Sequence, residues 1–94
     1  MLSQEPIDLG KVKQTEIDKE ALRLAIIAEL DAVSLYEQLA AAVKKEDLRK
    51  VLLEVAREEK THVGEFQALL LKYDEEQADE LEKGAKEVEE LTEK

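Results

Sequence analysis

Two runs of residues at alternating three- and four-residue spacing dominate the chain. The first reads Leu22, Ala25, Glu29, Val33, Tyr36, Ala40, Val43. The second reads Leu48, Leu52, Val55, Glu59, His62, Phe66, Leu69, Tyr73. That spacing puts each set on one face of an α-helix, so each run predicts an amphipathic helix with a buried stripe. Helix one is expected to start at Thr15, with Asp18 three residues on in a near capping-box arrangement, and to continue to about Val43. Lys44, Lys45 and Glu46 mark a turn, and Asp47 then falls in the first turn of helix two, where a negative charge suits the helix dipole. No Gly or Pro enforces this reversal, so a single continuous helix is the alternative. Helix two should end near Tyr73. Asp74-Glu75-Glu76-Gln77 then reads as a fresh N-cap, and Ala78, Leu81, Ala85, Val88 and Leu91 form a narrow seam on a third, acidic helix.

The pattern divides the chain into an extended N-terminal arm (1–14), a helical hairpin (15–73) and an acidic C-terminal helix (74–94). The arm shows no periodicity and is punctuated by Pro6 and Gly10, with Ile7 and Leu9 free to pack on a neighbouring subunit. Leu24, Ile27, Leu30 and Leu35 lie off the main stripe of helix one and also need cover. One partner helix cannot bury so wide a surface. The expected fold is all-α, an antiparallel two-helix hairpin plus a C-terminal helix, dimerising into a four-helix bundle.

Composition narrows the function classes. The 94 residues are 44% hydrophobic and 40% charged with three Gly and one Pro, which favours long helices over sheets. A formal charge of -10 argues against nucleic acid or an anionic membrane as partner, while an acidic field attracts cations. Zero cysteines exclude a disulfide framework, a zinc finger and a thiolate iron centre. Without a basic-then-apolar leader or a long apolar run, the chain is expected to be soluble and cytoplasmic.

The chemistry lies where the stripes are interrupted. Glu59 and His62 stand one helical turn apart on one face, so both can reach one ion. Glu29 is the only carboxylate in the other stripe. Counted from the turn near residue 45, Glu29 lies about as far before it as the midpoint of Glu59 and His62 lies after it. An antiparallel hairpin therefore brings all three to one height. Three ionisable groups in a small core are costly unless paired or metal-bound. Carboxylate and imidazole donors suit Fe, Mn or Zn. The competing reading is a His–Glu hydrogen bond at a helix seam within a structural helical dimer, which leaves Glu29 unexplained. Di-iron bundles use a Glu from each of two helices and a Glu-x-x-His from each of two more. This chain carries half of that set, so two copies would complete one site and cover the wide face of helix one.

Ile27-Ala28-Glu29-Leu30-Asp31-Ala32-Val33-Ser34-Leu35-Tyr36, followed by Arg57-Glu58-Glu59-Lys60-Thr61-His62, resembles the encapsulated ferritin family found with archaeal and bacterial encapsulin nanocompartments. The resemblance covers both main helices and reaches Asp74-Glu75-Glu76-Gln77. It implies a ferritin-like two-helix protomer and a di-iron ferroxidase centre, two irons per dimer, between two subunits. It further implies a decameric ring of such dimers and an encapsulin shell as partner, with the protein inside the nanocompartment. By position, Glu29, Glu59 and His62 are then the catalytic iron ligands. Asp31 matches an acidic residue that guides metal inward, and Tyr36 lies beside the centre as a supporting group. On a helix Asp31 points about 200° away from the Glu29 stripe, so it cannot readily ligate the same iron.

Some departures bear on these expectations. Ala28 stands where some members carry a second acid, and Leu35 where some carry Trp. No capsid-docking tail follows Leu91-Thr92-Glu93-Lys94, which fits either a domain cut from a capsid fusion or a chain without that signal. A rubrerythrin-like peroxidase is the other enzyme reading. Those proteins carry both metal-binding helix pairs in one chain, and this one has neither a second Glu-x-x-His nor cysteines.

Overall fold

The computed structural model describes residues 8–93. Three α-helices follow two short 3-10 turns, α1 spanning Ile17–Ala42, α2 Glu46–Tyr73 and α3 Glu75–Thr92. The single-helix alternative is thereby overturned, since the chain reverses between α1 and α2. Cross-links between the two arms give the antiparallel register: Arg49 to Ala40, Lys60 to Glu37, His62 to Glu29 and Arg23 to Asp74. Along that series the α1 number falls as the α2 number rises, so the arms run antiparallel from turn to open end.

The reversal is held by a side chain. Val43 and Lys45 are extended, at φ -82°, ψ 155° and φ -76°, ψ 128°. No described residue has positive φ, so no glycine is required. Instead Arg49 reaches back from α2 and donates to the Ala40 carbonyl at 3.3 Å and the Val43 carbonyl at 3.1 Å. These are C-terminal carbonyls of α1 that would otherwise lack partners. With the side chain 41% exposed, the pair of bonds contributes about 1 kcal/mol at most.

The start of α1 differs from expectation. It begins at Ile17 behind a 3-10 turn over Gln14–Glu16, with Glu16 as N-cap and no side-chain capping bond. The 3-10 turn occupies the stretch where a Thr15 cap was expected. Asp18 and Glu20 still sit in the first turn, where the dipole favours them. Of the arm, residues 8–14 are described, with Asp8 accepting from the Gly10 amide at 3.0 Å to close the turn over Leu9–Lys11; Ile7 lies outside the described residues.

The hairpin core is small and centres on Val33, Ala40, Ala56 and Leu70. On α2 the buried line is displaced from the expected stripe. Ala56 and Leu70 are covered, whereas Leu48, Leu69 and Tyr73 are 44%, 40% and 53% exposed. Between them Leu52, Val55, Glu59, His62 and Phe66 of the expected stripe are half-buried. No helix among the described residues is long and apolar enough to cross a membrane.

The third helix opens as the sequence suggests, with Asp74 accepting from the Gln77 amide at 3.0 Å. It packs against α2 alone and leaves the hairpin at an angle, giving extents of 47 × 45 × 20 Å. The radius of gyration is 16.6 Å, against about 12 Å for a compact domain of this length. The accessible surface is 7411 Å², against about 5,500 Å² for a folded monomer of this mass. The hairpin and α3 together are extended rather than globular.

Asp74 also carries a pH signature. Its carboxyl is held below its ordinary value of 3.8, chiefly by the Gln77 amide; burial opposes this, and Arg23 and Lys19 add to the lowering. A carboxylate depressed in the folded state contributes stability above its unfolded pKa, lost as pH falls through the folded value. Asn keeps the capping acceptor without the titration. Thermal unfolding followed by circular dichroism from about pH 6 to pH 3 should therefore show a steeper acid loss for wild type than for Asp74→Asn. Parallel curves would remove Asp74 from the acid response.

Candidate metal centre

Midway along the hairpin, α1 and α2 bring Glu29, Glu59 and His62 together, with one donor atom of each within 4.8 Å of the others. Glu59 and His62 come from adjacent turns of α2, and Glu29 comes from the facing side of α1. His62 Nδ1 lies 3.3 Å from Glu59 Oε2 and 3.5 Å from Glu29 Oε2. The two carboxylates are largely covered, at 21% and 19% exposure for Glu29 and Glu59, while His62 is 45% exposed. The centre is thus closed toward the hairpin and open on the His62 side.

Its hydrogen bonding does not close. One ring nitrogen faces two carboxylate oxygens and can give a proton to only one at a time. The Nδ1 contact with Glu59 meets hydrogen-bond geometry. Glu29 Oε2 is cut off from solvent and has no hydrogen-bond partner. Leaving such an atom unpaired costs about 1–3 kcal/mol. Two carboxylates this close repel by about 3 kcal/mol at an effective dielectric near 20. A divalent cation reverses the sign of that interaction and supplies the missing partner for Glu29. Two oxygens and an imidazole nitrogen, with no sulfur, match the preferences of Fe, Mn or Zn. The residues therefore fit a metal.

Neighbouring charges are kept out of this space. Arg57, two residues before Glu59, is engaged by Glu54 on the outer face through Nε at 3.0 Å and Nη2. That hydrogen bond holds the Glu54 carboxyl below its ordinary range and raises the Arg57 guanidinium in return. Lys60 Nζ turns to Glu37 Oε2 at 2.8 Å, a clasp between α2 and α1. Among the described residues no cation competes for the space between Glu29, Glu59 and His62.

Of the other residues the sequence singled out, neither Asp31 nor Tyr36 joins the convergent group. Asp31 is half-buried on α1, and Tyr36 is half-buried two turns beyond Glu29. Sequence reasoning missed Arg49, Lys60 and Arg23 as cross-links. Lys60 and Arg23 reach partners far away in sequence, so their spacing carried no signal; Arg49 lies close behind the turn, but its acceptors are backbone carbonyls, which no side-chain pattern marks.

Comparison with known proteins agrees with this architecture. The rubrerythrin family model matches residues 20–94. The ferritin-like–encapsulin shell fusion protein of Pyrococcus furiosus is 58% identical over 94 residues, covering 98% of this chain and 27% of the relative. The encapsulin nanocompartment cargo protein EncC of Myxococcus xanthus is 40% identical over 68 residues, covering 72% of this chain and 52% of the relative. This chain therefore spans about a quarter and about half of the lengths of those two relatives. A crystal structure of the encapsulated ferritin domain from Pyrococcus furiosus superposes with a TM-score of 0.84 at 56% identity, covering 100% of this chain and 98% of that one. The fold is ferritin-like. The chain belongs to the rubrerythrin family and, within it, to the encapsulated ferritins.

Proposed function

We propose that the chain is a ferroxidase, oxidising Fe(II) to Fe(III) at a di-iron centre shared by two copies. The observation that carries this reading is Glu29 Oε2, buried without a partner beside a second carboxylate and an imidazole. One chain offers three donors on a face open at His62, and a second copy related by a twofold axis would supply the other three. Glu29, Glu59 and His62 are the ligands in this reading. Iron is the substrate: two Fe(II) each give one electron, and dioxygen takes both with two protons to leave hydrogen peroxide, or peroxide takes both with two protons to leave two waters. The two carboxylates hold the ions close and favour the higher charge of Fe(III), and neutral His62 completes the donor set. Asp31 acts as a guiding acid outside the centre, and Tyr36 as a supporting group beside it.

The surface excess and the exposed apolar faces support a homodimer built from the hairpin (15–73). The 74–94 helix is left free for contacts between dimers in a decameric ring. An open ring cannot enclose mineral, so storage needs a container. The two relatives whose names carry encapsulin support delivery to an encapsulin shell, with the protein inside the nanocompartment in the cytoplasm.

A purely structural Glu–His network has one observation in its favour, the His62–Glu59 contact at 3.3 Å. Metal analysis of protein purified without chelator separates the two readings. The ferroxidase reading expects tightly held iron at two per dimer; metal-free protein that takes up no Fe(II) anaerobically leaves only the structural network.

A further inference from the structure

The third helix is tied to α1 by one polar link. Asp74 sits at the pivot between α2 and α3 and uses both carboxylate oxygens. Oδ1 accepts from the Gln77 amide at 3.0 Å and starts α3. Oδ2 accepts from Arg23 Nη2 at 3.0 Å. Arg23 is itself anchored on α1, donating from Nη1 to Glu20 Oε1 at 2.6 Å. Asp74 is only 13% exposed, whereas the Lys60–Glu37 clasp is 60% and 46% exposed. The Asp74 end of the pivot pair is covered, although Arg23 is itself 40% exposed, whereas both ends of the clasp are open to solvent.

Packing does not fix the angle by itself. Beside the pivot lies an open groove of about 370 Å³ between Ile26, Ile27, Leu70, Leu71 and Leu81. The α1 and α3 backbones do not approach closely across it, which leaves the helix room to swing over the groove. Along α3, Leu81, Val88 and Leu91 are 41%, 59% and 80% exposed on the acidic helix.

We propose that Arg23 and Asp74 form an angle lock, positioning residues that set the direction of α3 and thereby the number of copies that close into one assembly. The lock rests on the self-assembly reading above, and the partner it serves is a neighbouring copy of this chain. With 18 residues, α3 is about 27 Å long at 1.5 Å per residue. A swing of about 10° at the pivot carries its far end about 5 Å, close to one helical pitch. That is enough to take Val88 and Leu91 out of register with a neighbour. Head-to-tail contacts close into a ring only at particular rotations, so a loosened pivot changes the stoichiometry as well as the strength of contact.

The chain contains no cysteine, which makes labelling direct. Spin labels at Lys50→Cys on α2 and Lys86→Cys on α3, in chains diluted into excess unlabelled protein, report the intramolecular distance. Native mass spectrometry reports the copy number. Wild type should give one narrow distance and one dominant assembly. Arg23→Ala and Asp74→Asn, the latter retaining the α3 cap, should widen the distance distribution severalfold and spread the assembly over several stoichiometries. Helicity and iron bound per dimer should not change. A distribution as narrow as wild type in both variants overturns the lock. Wild-type chains that stay monomeric at every concentration overturn the assembly half together with the reading it rests on, while the distance measurement still decides whether Arg23 holds the angle.

Discussion

Glu29→Gln should raise the melting temperature of the metal-free protein while it removes iron binding and rapid Fe(II) oxidation. The two effects share a cause. Glu29 Oε2 is buried without a partner and lies against a second carboxylate. A neutral amide of the same shape ends the repulsion and can donate to Glu59. Relief of one unsatisfied buried group contributes about 1 kcal/mol or more, or about 4–8 °C for a domain of this size. Protein concentration must be held fixed, because association also moves the midpoint. The ligand set loses an anionic oxygen, and oxidation followed by stopped-flow absorbance should slow by about a hundredfold or more. Glu59→Ala and His62→Ala should match that kinetic loss with helicity retained. An unchanged or lowered melting temperature in Glu29→Gln, with wild-type oxidation, would sink the assignment of Glu29 as a ligand held in waiting.

Assembly and metal should rise and fall together. His62 is 45% exposed, and Leu69, two turns on along the same stripe, is 40% exposed. A second copy that completes the donor set must cover this face. Leu69→Lys puts a charge into that contact without touching any of the three ligands. It should yield monomer by size-exclusion with light scattering and lose rapid oxidation, although a single hairpin still folds. For wild type, an ion bound only by the dimer stabilises it by RT ln(1 + [L]/Kd), so Fe(II) at about 100 times its Kd should tighten association about a hundredfold per ion. Association that ignores Fe(II), or fast oxidation by monomeric Leu69→Lys, would show that one chain holds a whole site.

The hairpin and its centre were readable because both depend on local spacing. Helical period set the stripes, and counting from the turn put Glu29 level with Glu59 and His62. The Asp74 cap was readable too, since an acceptor three residues before a free amide is a local arrangement. Other features were not. The α2 stripe reads as one buried line, yet burial is deepest on its Ala56–Leu70 flank while Leu48, Leu69 and Tyr73 stay exposed, because a periodic apolar surface does not say which flank its neighbour covers most. Thr15 looked like a cap, but the backbone enters α1 through a 3-10 turn, and short turns of that kind leave little trace in composition. Arg23, Arg49 and Lys60 look like ordinary surface charges until the chain has folded back and chosen their partners.

The reversal at Val43–Lys45 has a practical consequence. It is made of extended backbone with negative φ throughout, and its closure comes from Arg49, outside the bend. No residue there is fixed by a left-handed conformation, so sequence at the bend is free to change provided Arg49 and the last carbonyls of α1 remain. Lengthening a flexible connection costs only about 0.6 kcal/mol per doubling. The tip of the hairpin is therefore a natural graft point: a foreign peptide inserted between Lys44 and Lys45 would be displayed at the far end of the rod from the pivot of α3, remote from Glu29, Glu59 and His62.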